Sequence, residues 1–179
     1  MAGEARSGFE LRRVVTGHNA EGRSVVMHDG PEARLNGNLY EVWNIDGGVQ
    51  DTSDTDDRGL MEVNLSPVAR GSNFRWFVVP PVDPSISHEQ LEEIIAKRFA
   101  GMGASHERVD TSRHPAMHKT KTIDYIILLS GHVTLMLDEE ERDLKPFDVV
   151  VQQATNHAWI NKGNEPALLC AVLIDADIE

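Results

Sequence analysis

Short apolar runs separated by polar turn residues fill the C-terminal part of the chain. They cover residues 123–130, 133–138, 148–152, 157–161 and 167–174. Runs of this length that are rich in Val, Ile and Leu are typical of β-strands. Gly131 and His132 separate the first two runs, which predicts a hairpin there. The pattern therefore predicts an antiparallel sheet that closes on itself or packs in two layers.

The N-terminal half repeats this pattern and adds one helix. Its apolar runs predict strands at residues 11–16, 23–28, 39–45 and 74–79. Between residues 91 and 99 the apolar residues recur at helical spacing instead. Ser87 precedes this segment as a potential N-cap, and Gln90 completes a capping box. The helix could cover the mouth of a barrel, although packing outside the sheet is the simpler expectation.

Length and charge narrow the possible functions. The 179 residues suit a single domain spanning residues 1–179. The formal net charge of -12 disfavours nucleic acid and anionic membranes as partners and leaves a small-molecule substrate open. We found neither a secretory signal pattern nor a run as long as a membrane span, so a cytoplasmic protein is expected. The single Cys170 lies in an apolar run, which favours a buried structural thiol.

Polar residues alternate along two of the predicted strands. Because successive side chains on a strand point to opposite faces, His118, Thr120 and Asp124 would share one face. His157 and Trp159 would share a face of a later strand. If both faces point inward, two imidazoles and a carboxylate meet in a mostly apolar cavity.

These positions resemble the paired signature of the cupin superfamily. Its first motif has the form G-x5-H-x-H-x3,4-E-x6-G, and His118, Asp124 and Gly131 fall on its first histidine, its glutamate and its last glycine. Its second motif has the form G-x5-P-x-G-x2-H-x3-N, and His157 and Asn161 fall on its histidine and asparagine. The chain is also similar to small single-domain cupins of bacteria and fungi, often associated with secondary metabolism. LRRVVTGHNAEGRSVV, HKTKTIDYIILLSG and TNHAWIN carry that likeness.

The resemblance implies a fold and an assembly. The expected fold is an all-β cupin barrel, a double-stranded β-helix or jelly roll, with an N-terminal strand extension and one or two short helices. Its core barrel would cover about residues 70–175. Strands within residues 9–45 would extend the sheets and pair across a homodimer.

The resemblance also implies a metal, although Thr120 departs from the pattern. His118, Asp124 and His157 would hold a divalent metal such as Fe, Mn, Ni or Zn, as two histidines and one carboxylate do in non-haem iron sites. No organic cofactor is expected. Thr120 stands at the second histidine of the motif, and a threonine hydroxyl is a poor metal ligand. The alternative is that metal binding has been lost and that the histidines bind a substrate or act as acid and base.

The implied function is that of an enzyme acting on a small organic metabolite inside the barrel. Oxygenation, decarboxylation, dehydration and isomerisation or cyclisation all use this architecture. The catalytic residues would be His118, Asp124 and His157. The substrate contacts would be Thr120, Ile126, Trp159 and Trp76. The alternative is a non-catalytic protein that binds a small molecule in the same cavity with a degenerate metal site.

Overall fold

The computed structural model describes residues 8–62 and 64–178, and most of the regular structure there is β-strand. In chain order the elements are β1 (Arg13–His18), β2 (Ser24–Gly30), β3 (Arg34–Asn36), β4 (Leu39–Ile45), β5 (Ser72–Val79), α1 (His88–Gly101), β6 (Thr122–Ser130), β7 (Val133–Leu137), β8 (Glu141–Leu144), β9 (Val149–Gln153), β10 (His157–Ile160) and β11 (Ala167–Asp175). Short 3-10 turns lie at Arg58–Leu60 and Ser105–Glu107. The prediction of an all-β fold with one or two short helices is confirmed.

Two antiparallel sheets form the body of the protein. The larger sheet has the strand order β3-β4-β5-β11-β6-β9, and the smaller one has the order β10-β7-β8. Apolar side chains from both sheets pack in one cluster, which includes Ile126 on β6, Leu169 on β11 and Val133 on β7. Burial of this apolar surface between the layers is the main force that holds them together.

The N-terminal strands belong to two different sheets. β3 and β4 extend the larger sheet at its β5 edge. β1 and β2 instead form a separate two-stranded hairpin. Arg13 connects this hairpin to the barrel, because its guanidinium donates to the Val42 carbonyl at 2.9 Å and to the Asp57 carboxylate at 2.7 Å.

Strand β6 shows the alternation expected from the sequence. Its buried side chains are Thr122, Asp124, Ile126 and Leu128. Tyr125 and Ile127, between them, remain exposed. The apolar members of the buried row supply core packing, while Asp124 brings a carboxyl group to the same inner face.

Helix α1 packs with its apolar side against the barrel. Ser87 and Gln90 form the capping box. The backbone N–H of Gln90 donates to Ser87 Oγ at 3.2 Å, and the backbone N–H of Ser87 donates to Gln90 Oε1 at 2.9 Å. Ile95 and Phe99 are buried in a cluster with Leu39 of β4. The helix therefore forms part of an interior wall. In the described part of the chain, α1 and the short turns lack the length and apolar character needed to cross a membrane.

Candidate active site

A cavity of about 130 Å³ lies between the larger sheet, strand β10 and helix α1. Apolar side chains form most of its wall, including Phe77, Ile95 and Leu173. Six of the seven residues predicted for the site also line it: His118, Thr120, Asp124, Ile126, His157 and Trp159. Strand β6, the segment just before it and strand β10 therefore bring together residues that are about forty positions apart in the sequence.

The two histidines form a close pair. Their backbones exchange two hydrogen bonds of 2.9 Å, from each amide to the other residue's carbonyl oxygen. This isolated bridge joins the segment before β6 to β10 and places the two ring centroids 4.3 Å apart. The His157 ring also makes an edge contact with Trp159, at a centroid distance of 5.7 Å. His157 is buried, while His118 keeps partial exposure.

Backbone carbonyls fix the tautomer of both rings. His118 Nδ1 lies 3.0 Å from the carbonyl oxygen of Ala116, and His157 Nδ1 lies 2.9 Å from that of Thr155. A carbonyl oxygen can only accept, so each Nδ1 carries the hydrogen and each Nε2 keeps a lone pair. Both rings are thus arranged as bases.

The environment keeps both imidazoles neutral. Burial lowers the pKa of His118 to about 4, and the positive charge of Arg98 acts in the same direction. Burial also lowers the pKa of His157 to about 3, with the neighbouring His118 as a second cause. At neutral pH each ring can accept a proton at Nε2.

Asp124 is the acidic group of the cavity. Its side chain is buried, and its Oδ1 atom has no hydrogen-bond partner among the described residues. Burial raises the pKa of Asp124 to about 6, although a hydrogen bond with Thr122 and the charge of Arg75 oppose the shift. A carboxyl group with this pKa exchanges protons readily near neutral pH.

The predicted metal ligands do not come together as a metal centre. Within residues 8–62 and 64–178, we found no group of three or more His, Cys, Asp or Glu side chains that could hold a metal ion. His118 and His157 are adjacent, but Asp124 does not complete a set of three with them. The Thr120 hydroxyl is bonded to the Thr122 hydroxyl at 2.6 Å. These donors therefore do not fit the Fe, Mn, Ni or Zn site that was expected.

Trp76 lies outside the cavity. Its neighbours on β5, Arg75 and Phe77, line the cavity, so alternation turns Trp76 to the opposite face of the sheet. There it packs with Tyr40 and Leu168. The expectation that Trp76 contacts a substrate was wrong about its face, and Phe77 supplies the aromatic wall instead.

Two cavity arginines were missed from the sequence. Arg75 is 1% exposed and its Nη2 lies 3.2 Å from Glu41 Oε1. Arg98 reaches the cavity from α1. Both carry a usable signal, because Arg75 interrupts an otherwise apolar strand and Arg98 lies three positions after Ile95 on the apolar side of the helix.

Comparison with known proteins identifies the family. A family model described as Cupin domain matches residues 106–174, which include His118, Asp124 and His157. The cupin-domain-containing oxidoreductase virC of Hypocrea virens is 30% identical over 174 residues, which cover 92% of this chain and 77% of that protein. This chain belongs to the cupin superfamily.

Two further similarities have narrower reach. This cupin is 49% identical to phomopsin biosynthesis cluster protein C' of Diaporthe leptostromiformis over 49 residues, which cover 27% of this cupin and 26% of that protein. It also resembles the crystal structure of a Cupin 2 conserved barrel domain protein from Salinispora arenicola CNS-205. That match has a TM-score of 0.37 and 17% identity, and it covers 59% of this cupin and 64% of that chain.

Proposed function

We propose that this cupin is an enzyme that transfers protons on a small, largely apolar organic molecule, in a dehydration or an isomerisation. One observation carries the proposal. Two neutral imidazoles with Nε2 lone pairs and a carboxyl group with an unpartnered oxygen line the same apolar cavity. Both reactions need a base that removes a proton next to a carbonyl and an acid that protonates an oxygen or carbon nearby.

The shifted pKa values support one division of the two roles, with a histidine as the base and Asp124 as the acid. A histidine with a pKa of about 4 and a carboxyl group with a pKa of about 6 are together in the forms of base and acid between those two pH values. The opposite assignment would need a protonated histidine beside an ionised aspartate, a pair that is scarce at every pH. His118 is the better base because it keeps partial exposure, whereas His157 is buried.

The remaining lining residues would position the substrate and keep it dry. Ile126, Trp159 and Phe77 offer apolar surface to the body of the molecule. An apolar wall also strengthens each polar interaction in the cavity, because little water competes for it. Thr120, whose hydroxyl is already hydrogen-bonded to that of Thr122, would lie beside the reacting groups without acting as an acid or base.

The named relatives support a small organic metabolite as the substrate. One of them is named for a biosynthesis cluster, and another is named an oxidoreductase. The second name favours a redox reaction as the other candidate function for this cupin. Such a reaction would consume an electron acceptor such as oxygen or a nicotinamide nucleotide, which proton transfer does not.

Hydrogen exchange tests the proposal even though the natural substrate is unidentified. Chelator-treated protein is incubated in D2O with a panel of enolisable and 3-hydroxy carbonyl compounds, and deuterium uptake next to the carbonyl is followed by NMR. We expect uptake by the wild type to be fastest between about pH 4 and pH 6, where base and acid coexist. His118→Gln and Asp124→Asn should each slow it by about 100-fold or more.

The control is His106→Gln, because that side chain is 78% exposed and outside the cavity. Exchange that is unchanged in both cavity variants would rule out the assigned roles. Substrate-dependent oxygen uptake or nicotinamide turnover without exchange would favour the redox candidate. Binding without either activity would show that this cupin binds its small molecule without catalysis.

A further inference from the structure

Arg98 brings a positive charge to the cavity without a negative partner. It lines the cavity beside Ile95 and Met102, yet it forms no ion pair with any carboxylate in the described part of the chain. The helix offers none nearby, since the residues three and four positions away are Ile94, Ile95, Gly101 and Met102. The two neighbouring cases differ, because Arg75 pairs with Glu41 at 3.2 Å and Arg108 pairs with Glu92 at 2.7 Å.

The Arg98 guanidinium is held in place but only partly satisfied. Asn38 Oδ1 accepts a hydrogen bond from its Nη2, and the Asn38 amide in turn donates to the Val78 carbonyl. A guanidinium has five N–H donors, so most remain for a ligand. Burial lowers the pKa of Arg98, which reflects the cost of placing this charge in an apolar wall. A bound anion would offset that cost.

We infer that Arg98 binds the carboxylate of the ligand, and that the cavity takes small apolar monocarboxylates. This rests on the proposed function and adds the substrate class to it. The cavity volume of about 130 Å³ suits a body of one ring or a short chain, since a cavity of about 150 Å³ holds benzene. A guanidinium suits a planar carboxylate, which it can bind through two parallel hydrogen bonds.

The position of Arg98 also locates the reacting part of the ligand. His118 lines the same cavity, and its ring packs against Phe99, the residue after Arg98, at a centroid distance of 5.0 Å. A carboxylate bound at Arg98 would therefore lie near the proposed base. In a ligand that also carries a carbonyl group next to that end, such as a 3-oxo acid, the protons between the carbonyl and the carboxylate are the ones that His118 would remove.

Calorimetric titration with matched acids and amides tests this inference. The probes are benzoate against benzamide, and hexanoate against hexanamide, which differ in charge but little in shape. We expect the wild type to prefer each acid by at least about 10-fold, as charge-assisted hydrogen bonds contribute about 1.5 kcal/mol or more. Arg98→Gln should abolish the preference, and Arg98→Lys should restore part of it.

The matched control is Lys97→Gln, which makes the same charge change one residue away. Lys97 is 81% exposed and interacts only at the surface, with Glu93 at 3.9 Å. It should keep the preference for acids. Thermal unfolding should show that Arg98→Gln remains folded, because the substitution removes a hydrogen bond to Asn38 but no ion pair among the described residues.

Three results would overturn the inference: equal affinity of the wild type for acids and amides, an undiminished preference in Arg98→Gln, or no binding of either acid. The proposed proton transfer is judged separately, because these titrations involve no turnover. Acid binding through Arg98 without deuterium exchange would sustain the binding site and refute the catalytic role.

Discussion

At the scale of single residues, Asp124 is a buried ionisable group in the wall of the cavity. A buried carboxylate without full hydrogen bonding is costly, and its Oδ1 atom has no partner among the described residues. Burial disfavours the charged form and raises the pKa of Asp124 to about 6, so the protonated form avoids this cost below that pH. Burial of Asp124 therefore lowers the stability of the folded protein but provides a carboxyl group that can act as an acid.

The cost of burying the ionised carboxylate predicts a pH-dependent gain in the free energy of unfolding for Asp124→Asn. The folded-state pKa of about 6 lies above the usual 3.8, so the stabilising contribution is complete below pH 3.8 and is lost as the pH rises through 6. At pH 8 the wild type therefore bears a cost on the order of 3 kcal/mol at most, which the amide avoids. Urea unfolding at pH 8 and pH 4 should show the variant stabilised at pH 8 only.

Asp177→Asn serves as the control, because this residue lies exposed near the C-terminal end of the described chain. It should change the free energy of unfolding little at either pH. A variant Asp124→Asn that is less stable than the wild type at pH 8 would show that the carboxylate is well solvated or paired in the folded protein.

At the scale of the elements, the turn between β6 and β7 depends on one glycine. Gly131 has a φ of +81°, and a Cβ atom there would lie 2.8 Å from the Ala167 Cα at the start of β11. The residue thus needs both a left-handed backbone and a missing side chain. It also falls on the last glycine of the first cupin motif, so the motif position has a structural reason.

We expect Gly131→Ala to lower the free energy of unfolding by more than Gly22→Ala does. Gly22 has a φ of +72°, but a Cβ atom added there would meet nothing within 4 Å, so only backbone strain of about 1 kcal/mol applies. Gly131→Ala adds a backbone clash and should cost about 2 kcal/mol or more. Equal losses in urea unfolding would show that the turn relaxes away from Ala167.

The elements also show what could be predicted from the sequence. Alternation through β6 and the residues just before it is visible as a periodic pattern, so the shared face of Thr120, Asp124 and Ile126 could be predicted. The face of Trp76 could not, because every position of FRWFVV except Arg75 is apolar or aromatic and the pattern has no clear inner row. Nor could the motif show that Asp124 would stay apart from the histidine pair.

The role of Arg98 could not be predicted from the sequence, because it depends on contacts between distant segments. Its position on the apolar side of α1 was readable, but the helix could have packed outside the sheet. Only the packing of Ile95 and Phe99 against Leu39 brings that side to the cavity. Its hydrogen bond to Asn38, sixty positions away in the sequence, is likewise invisible in local patterns.

At the scale of the whole molecule, the N-terminal hairpin leaves apolar surface open. β1 and β2 pair with each other rather than with the barrel sheets. Val14 on β1 is 51% exposed and Val26 on β2 is 58% exposed. An exposed hairpin with apolar side chains is suited to association with a second copy of the chain. The homodimer expected from the sequence therefore has a surface on which it could form.

We expect light scattering at micromolar concentration to give about twice the chain mass of 19.9 kDa. Val14→Asp combined with Val26→Asp should shift the protein to the monomer, because each charge would be buried without a partner at the interface. Val49→Asp is the control, since Val49 is fully exposed in a loop outside the hairpin. A monomeric wild type would refute the dimer. A dimer that survives the double substitution would place the interface elsewhere, and the hairpin would then need another explanation for its exposed valines.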